Sequence, residues 1–571
     1  LSGNFTLTLD GSAGGSIAGV ISSTAASGVI KQGGGTWTLS GTNTYTGTTA
    51  INAGVLKAGS ARALGASGAV TVSANAALDL NGQTMTSTGT LTLNGTGISG
   101  GGALMNSGAT GATYAGLLAL GSDSSIMGGS GAITLSHTGA IGGSGWSLTL
   151  GGAVGGTINS VIATAAGGVN KQGSGSWSLT GANTYTGTTT IGEGTLRISG
   201  SGSLGAGSYA GNIINTGTLQ YSSSADQVFS GNMSGTGGAL IKDTSASTLT
   251  LTGSNSYSGL TTISVGTLQV GNGGSGGTLG TGNVTNNATL VVSKNVNTAL
   301  SNAISGTGTM TATITGSAQS LTISGAIGQS GAVNFNASGA LTIGANLSAG
   351  ASSTLISGAT LTLNASTVTS TSSGNLILSA ARFVNNAGSG ALSVTGGGNW
   401  QVWSSNVSPF DASAAIADSR GGLSFNYKQY NVIYGSSTVL GTGNGFLYSY
   451  APTLTASLTG TVTKTYDRLT TATLGSVNYS LSGTVDSDVV VLNNPSSGSY
   501  TSQGSGVGTK DVGTGKTVSV SGISISSALN SGETVYGYTV NSSASANIGV
   551  ITQRALTVTA IATASSTYGS A

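Results

Sequence analysis

The chain has 571 residues, of which 101 are glycine, with 5 % charged residues, a net charge of +2, three prolines and no cysteine. So much glycine and so few Glu/Lys pairs exclude a helical protein, and the lack of a Gly-X-Y period excludes collagen. Charge this sparse makes no basic stripe for a nucleic acid, and one histidine without cysteine makes no zinc or iron–sulfur cluster.

A hydrophobic content of 37 % and a mean hydropathy of +0.23 argue for an ordered chain. Runs such as Phe5-Thr6-Leu7-Thr8-Leu9 and Ala359-Thr360-Leu361-Thr362-Leu363 alternate with period two between glycines, which predicts strands. No apolar run approaches the ~20 residues of a membrane helix. The chain opens at Leu1 with no initiator Met and no leader pattern, and it reads as a fragment of a longer protein.

In chain order, the first signal is a repeat. The stretch Lys31-x-Gly33-x-Gly35-x-Trp37-x-Leu39-x-Gly41-x-Asn43-x-Tyr45-x-Gly47 returns 140 residues later, carrying Lys171, Trp177, Asn183 and Tyr185. A third, looser copy carries Lys242, Leu249, Leu251, Asn255, Tyr257 and Gly259. Each copy runs on into Gly-x-Leu, at Gly54-Val-Leu56, Gly194-Thr-Leu196 and Gly266-Thr-Leu268. Strands of about five residues bury nothing alone, so the repeats predict a right-handed parallel β-helix whose rungs stack about 4.8 Å apart. With roughly 20 residues per turn, residues 1–398 make a rod of about 20 rungs. Leu, Val and Ile are expected inside, Ser and Thr outside, and glycine and asparagine at the corners. Trp37 and Trp177, at one repeat position, are expected to share a burial class.

The repeat resembles the autotransporter-associated β-strand repeat of bacterial adhesin passengers, over residues 28–65, 168–205 and 240–280. That resemblance implies a secreted protein at the bacterial outer surface, with an outer-membrane transporter as its export partner. It leaves the ligand on host cell, neighbouring bacterium or matrix unidentified.

Beyond residue 398 the composition changes: all three prolines and half of the charges lie there. Residues 399–452 are dense in aromatics, including Trp400, Trp403, Phe410, Tyr427, Tyr430, Phe446 and Tyr448, and are expected to form a cap and linker. The competing reading is an aromatic sugar-binding platform. Asn399-Trp400-Gln401-Val402-Trp403 also resembles the junction after the β-helix in filamentous-haemagglutinin-like exoproteins. Residues 453–560 are expected to form a small separate β domain. Lys464-Thr-Tyr466-Asp467, Val512-Gly-Thr-Gly-Lys516 and Gly537-Tyr538-Thr-Val540 resemble a YDG domain, although Arg468 stands where that motif has glycine. Residues 561–571, with Ser566-Thr-Tyr568-Gly569, resemble the start of an MBG-type module. These modules favour two-partner secretion over a classical autotransporter.

Catalysis is not expected. Parallel β-helices include polysaccharide-active enzymes, but the acids of the rod, Asp10, Asp79, Asp123, Glu193, Asp226 and Asp243, are scattered, and glycosidases need two carboxyls within about 10 Å. His137 is expected at the surface, and Asp486-Ser487-Asp488 in a loop too poor in ligands for Ca²⁺. No catalytic, metal or cofactor residue is nominated. The function expected is that of a structural rod displaying modules for cell or biofilm adhesion.

Overall fold

The computed structural model describes residues 2–23, 26–243, 246–411, 416–501 and 508–560. The MBG-like start at 561–571 lies outside them. The described residues are strands joined by tight corners, with three short 3-10 turns. Two compact units are present: Leu1–Ile377 with Val384–Gly398, and Leu378–Phe383 with Asn399–Ala571.

The first unit is a parallel β-solenoid of about 20 turns with three strand positions per turn. Every turn pairs in register with the next: Val29 with Thr49, and Thr49 with Val70, so a turn takes 20 or 21 residues here. One face is an unbroken ladder of 15 strands, from Thr84–Met85 to Leu392–Val394. Inward columns such as Leu56, Leu78, Leu104 and Ile126 are fully buried. A rung contributes only two or three such side chains per face, so the core exists only through stacking.

The repeat copies do not lie above one another. Following the pairing upward from Trp37 leads through Leu56, Leu78, Leu104, Ile126 and Leu150 to Lys171. The second copy therefore starts on the face where the first copy has its tryptophan. From Leu179 the pairing runs through Ile198 and Tyr221 to Lys242, so the third copy is displaced by one face again. The 140-residue offset is thus six turns and one face. One turn within this interval is long: Leu91 pairs with Leu118, 27 residues on.

Local register is nevertheless the same in both full copies. Trp37 pairs with Gly15 and Leu56, Trp177 with Gly156 and Leu196. Each indole lies over that glycine, where a Cβ would come within 3.1 Å or less of the ring. Each indole N–H donates to a carbonyl of the preceding turn, Asp10 at 3.0 Å and Gly151 at 2.9 Å. In the third copy Leu249 takes the tryptophan position, paired with Gln227 and Leu268.

The expected common burial class fails. Trp177 is fully buried whereas Trp37 is half-buried. The strand Gly155–Ile158 beneath Trp177 rests on Ile133–Leu135, while Gly14–Ile17 beneath Trp37 belongs to the first described turn. The expectation that threonine faces outward also fails at Thr49, Thr189 and Thr261, all buried.

The second unit holds a sheet in the order Trp400–Ser404, Gly445–Tyr448, Tyr427–Gln429, Glu533–Tyr536, Ile525–Asn530, Val489–Leu492. Its first three pairings are parallel and its last two antiparallel. A five-stranded sheet and a separate core (Ala456, Val462, Ala472, Tyr500, Val518, Ile551 among others) are built from residues 453–560 alone. The pairing of Tyr427–Gln429 with Glu533–Tyr536 joins the stretches on either side of residue 452 in one sheet. At the opening turn Arg468 adopts φ 70°, a conformation that favours glycine. Asp467 Oδ1 holds that turn by accepting from the Leu469 N–H at 2.9 Å and from Lys464 at 2.7 Å.

Truncating Trp177 to alanine is expected to cost about 3–5 kcal/mol of local stability, and Trp37→Ala clearly less. Native-state hydrogen exchange of the strands Ser176–Leu179 and Thr36–Leu39 measures both. Equal losses would contradict the burial difference.

Candidate functional site

The repeat's polar residues are internal fasteners. Lys31 Nζ donates to the carbonyls of Gln32 (3.1 Å) and Gly33 (2.7 Å) in its own corner and of Ala53 (2.8 Å) in the next turn. Lys171 does the same with Gln172, Gly173 and Glu193, and Lys242 reaches Val265 O at 3.3 Å. The next-turn carbonyl always precedes Gly54, Gly194 or Gly266, each at positive φ. A Cβ there would sit 2.6 Å from Lys31 Nζ or 2.8 Å from Lys171 Nζ, which explains why glycine follows. Burial draws all three ammonium pKa values down, that of Lys171 to about 8, while nearby acids (Asp10, Glu193, Asp243) oppose the shift.

Asparagine does the same at the next corner. Asn43 Oδ1 accepts from Ile21 N (2.8 Å) below and its Nδ2 donates to Ala63 O (2.7 Å) above. Asn183 and Asn255 repeat this with Ile162 and Ser203, and with Met233 and Thr278. Each asparagine therefore ties three turns together. Tyr45, Tyr185 and Tyr257 share a hydrogen bond of 2.7–2.8 Å with the threonine four residues on, which buries that threonine.

The scattered acids also serve corners. Asp79 Oδ1 accepts from Asn81 N and Ser107 N, Asp123 from Ser147 N, and Asp226 from Thr248 N. Asp243 accepts from Gln220 Nε2 and Ser222 Oγ. His137 is half-buried, its Nδ1 accepting from Gly139 N at 2.8 Å. Among the described residues no three His, Asp or Glu side chains converge.

In the second unit Asp486-Ser487-Asp488 form a turn before the strand Val489–Leu492, and both of its carboxylates are engaged within the protein. Asp488 is 6 % exposed and receives Lys428 Nζ, Tyr430 OH (2.7 Å), Tyr538 OH (2.8 Å) and Asn530 Nδ2 (2.7 Å). Asp486 takes Lys428 at 2.6 Å and Arg420 at 2.7 Å. Lys428 is fully buried, so its charge depends on these two carboxylates. Sequence spacing offered no signal here, because the partners lie about 60 residues apart. The aromatics around the cluster form a core: Trp400 meets Phe446 at 5.1 Å and Phe410 meets Tyr448 at 4.9 Å, edge to face. Trp400, Trp403, Tyr427, Tyr430, Phe446 and Tyr448 are all buried, which removes them from any solvent-facing platform.

The passenger-associated-transport-repeat family matches residues 29–58, 169–198 and 244–270. The adhesin BmaC autotransporter of Brucella suis biovar 1 (strain 1330) is 37 % identical over 187 residues, 28 % of this chain and 5 % of that protein. The matched stretch thus spans a small part of the relative's length. No solved structure matches.

Replacing Asp488 by alanine is expected to cost the second unit about 3–5 kcal/mol, since it removes one of the two carboxylates on the buried Lys428 and the acceptor of Tyr430, Tyr538 and Asn530. Asp467→Asn, at an exposed pair, should change stability far less, as denaturant titration would register. For Lys171, the unfolded chain titrates near 10.5 and the folded one near 8. Between those values the unfolded state holds more protons, so folded stability rises with pH. The melting temperature of the wild type should therefore rise relative to Lys171→Met from pH 8 to 10; parallel curves would contradict the buried-ammonium reading.

Proposed function

We propose that this chain is part of the passenger of an autotransporter adhesin, a non-enzymatic solenoid that holds binding surfaces away from the bacterium. The observation carrying this reading is that the first two matched transport repeats contain the fastening lysines Lys31 and Lys171, and the third contains Val265, whose carbonyl Lys242 reaches. The protein is secreted and exposed at the outer-membrane surface. Its export engages an outer-membrane translocator. The composition suits passage through a narrow pore, with no cysteine to cross-link and few charges to desolvate. Turn-by-turn folding outside the cell then uses only neighbouring contacts.

The two-partner route rests on the module resemblances beyond residue 398, whereas the repeats and the adhesin relative favour the autotransporter passenger. Asp79, Asp123, Asp226 and Asp243 of the rod are engaged in hydrogen bonds to neighbouring turns or corners, which supports a structural role over polysaccharide cleavage.

The test is a fusion of residues 1–571 to an autotransporter barrel in a non-adherent bacterium. Surface exposure and attachment to cells or biofilm matrix are expected. Deleting residues 28–167 joins equivalent positions, because Leu7 pairs with Val29 as Leu148 pairs with Val169. The shortened chain should still be exported and folded, with weaker attachment. Failure of the intact fusion to reach the surface, or depolymerisation of a polysaccharide by it, would overturn the proposal.

A further inference from the structure

One buried lysine of the solenoid is not fastened like the others. Lys294, 8 % exposed, closes the strand Thr289–Lys294 beyond the third repeat, and its Nζ donates to one carbonyl only, Gly277 at 2.8 Å. The repeat lysines have three carbonyls or an acid close by; burial alone acts on Lys294. Lys294 and Gly277, the last residue of the glycine-rich stretch 271–277, line a cavity of about 380 Å³. No acid lines it.

The cavity is built rather than loose. Asn302 Nδ2 donates to Gly280 O (2.8 Å) and Gly282 O (2.7 Å), and Thr298 Oγ1 donates to Val296 O (2.9 Å), fixing two of its walls. Leu279 and Leu300 supply buried apolar surface, and the exposed Thr281 and Ser301 hydroxyls stand among the lining groups. Its volume lies within the roughly 300–1,000 Å³ of small-ligand sites.

We propose that this cavity binds the carboxylate of an acidic sugar, with the two remaining N–H bonds of Lys294 directed to the carboxylate oxygens. One cation without a counter-charge matches a monoanion better than a phosphate dianion. Apolar walls beside free hydroxyls match the C–H face and O–H edges of a sugar ring. The inference goes beyond the adhesin reading and does not depend on the export route.

The intact 571-residue chain is titrated calorimetrically with methyl glucuronide, methyl glucoside, N-acetylglycine and a tri-uronate. Glucuronide should bind at least tenfold more tightly than the neutral glucoside and than N-acetylglycine. Lys294→Met should lose glucuronide binding at least tenfold, whereas Lys57→Met, which removes a half-buried charge elsewhere, should not. Ser301→Trp, placed on an exposed lining residue, should block binding without touching the ammonium, which keeps the test valid if Lys294→Met is destabilised. A tri-uronate that binds as well as the monosaccharide makes a polysaccharide the source; one that is excluded makes a free uronate the source, and either supports the site. No binding of glucuronide, equal binding of glucoside or N-acetylglycine, or unchanged binding in both variants would overturn it.

Discussion

A solenoid turn is a single layer of backbone, so every polar group it buries at a corner must be answered by the turn above or below. An unanswered buried donor or acceptor costs about 1–3 kcal/mol, and a stack of some 20 turns would multiply that cost. Two side chains meet most of this demand in the repeats. Lysine brings three N–H donors to three carbonyls, and asparagine one acceptor and one donor to the turns on either side. Both are placed where backbone ladders are interrupted, which is where parallel pairing alone would leave groups unsatisfied.

The second unit solves the burial of a cation differently. Lys428 is balanced by two carboxylates, of which Asp488 is held by Tyr430, Tyr538 and Asn530 and Asp486 by Arg420. Carbonyls tolerate a charge through partial dipoles and can be repeated turn after turn. A carboxylate pair provides a full counter-charge but requires partners from distant parts of the chain. The first device suits a repetitive stack, the second a junction made once.

The solenoid was readable from residue order because its signals are local: period-two runs, glycine and asparagine at corners, and the constant spacing from Lys31 to Tyr45. The inside of Thr49, Thr189 and Thr261 was not, since an alternation rule sorts threonine outward and misses the tyrosine four residues earlier that pairs with it. Lysine burial was hidden for a similar reason, because a charge reads as surface until its carbonyl acceptors are located. The Asp486–Lys428–Asp488 cluster and the Lys294 cavity left no trace in spacing. One joins residues about 60 positions apart, and the other is lined by residues drawn from positions 255 to 302.

The displacement of each repeat copy by one face also governs what neighbours can see. Equivalent loops of the three copies point along three azimuths separated by a third of a revolution, instead of forming one row. A flat partner such as a membrane would meet one copy at a time, while a flexible or branched partner surrounding the rod could engage all of them. A repeat placed at this offset therefore spreads a surface feature around the axis instead of along one side.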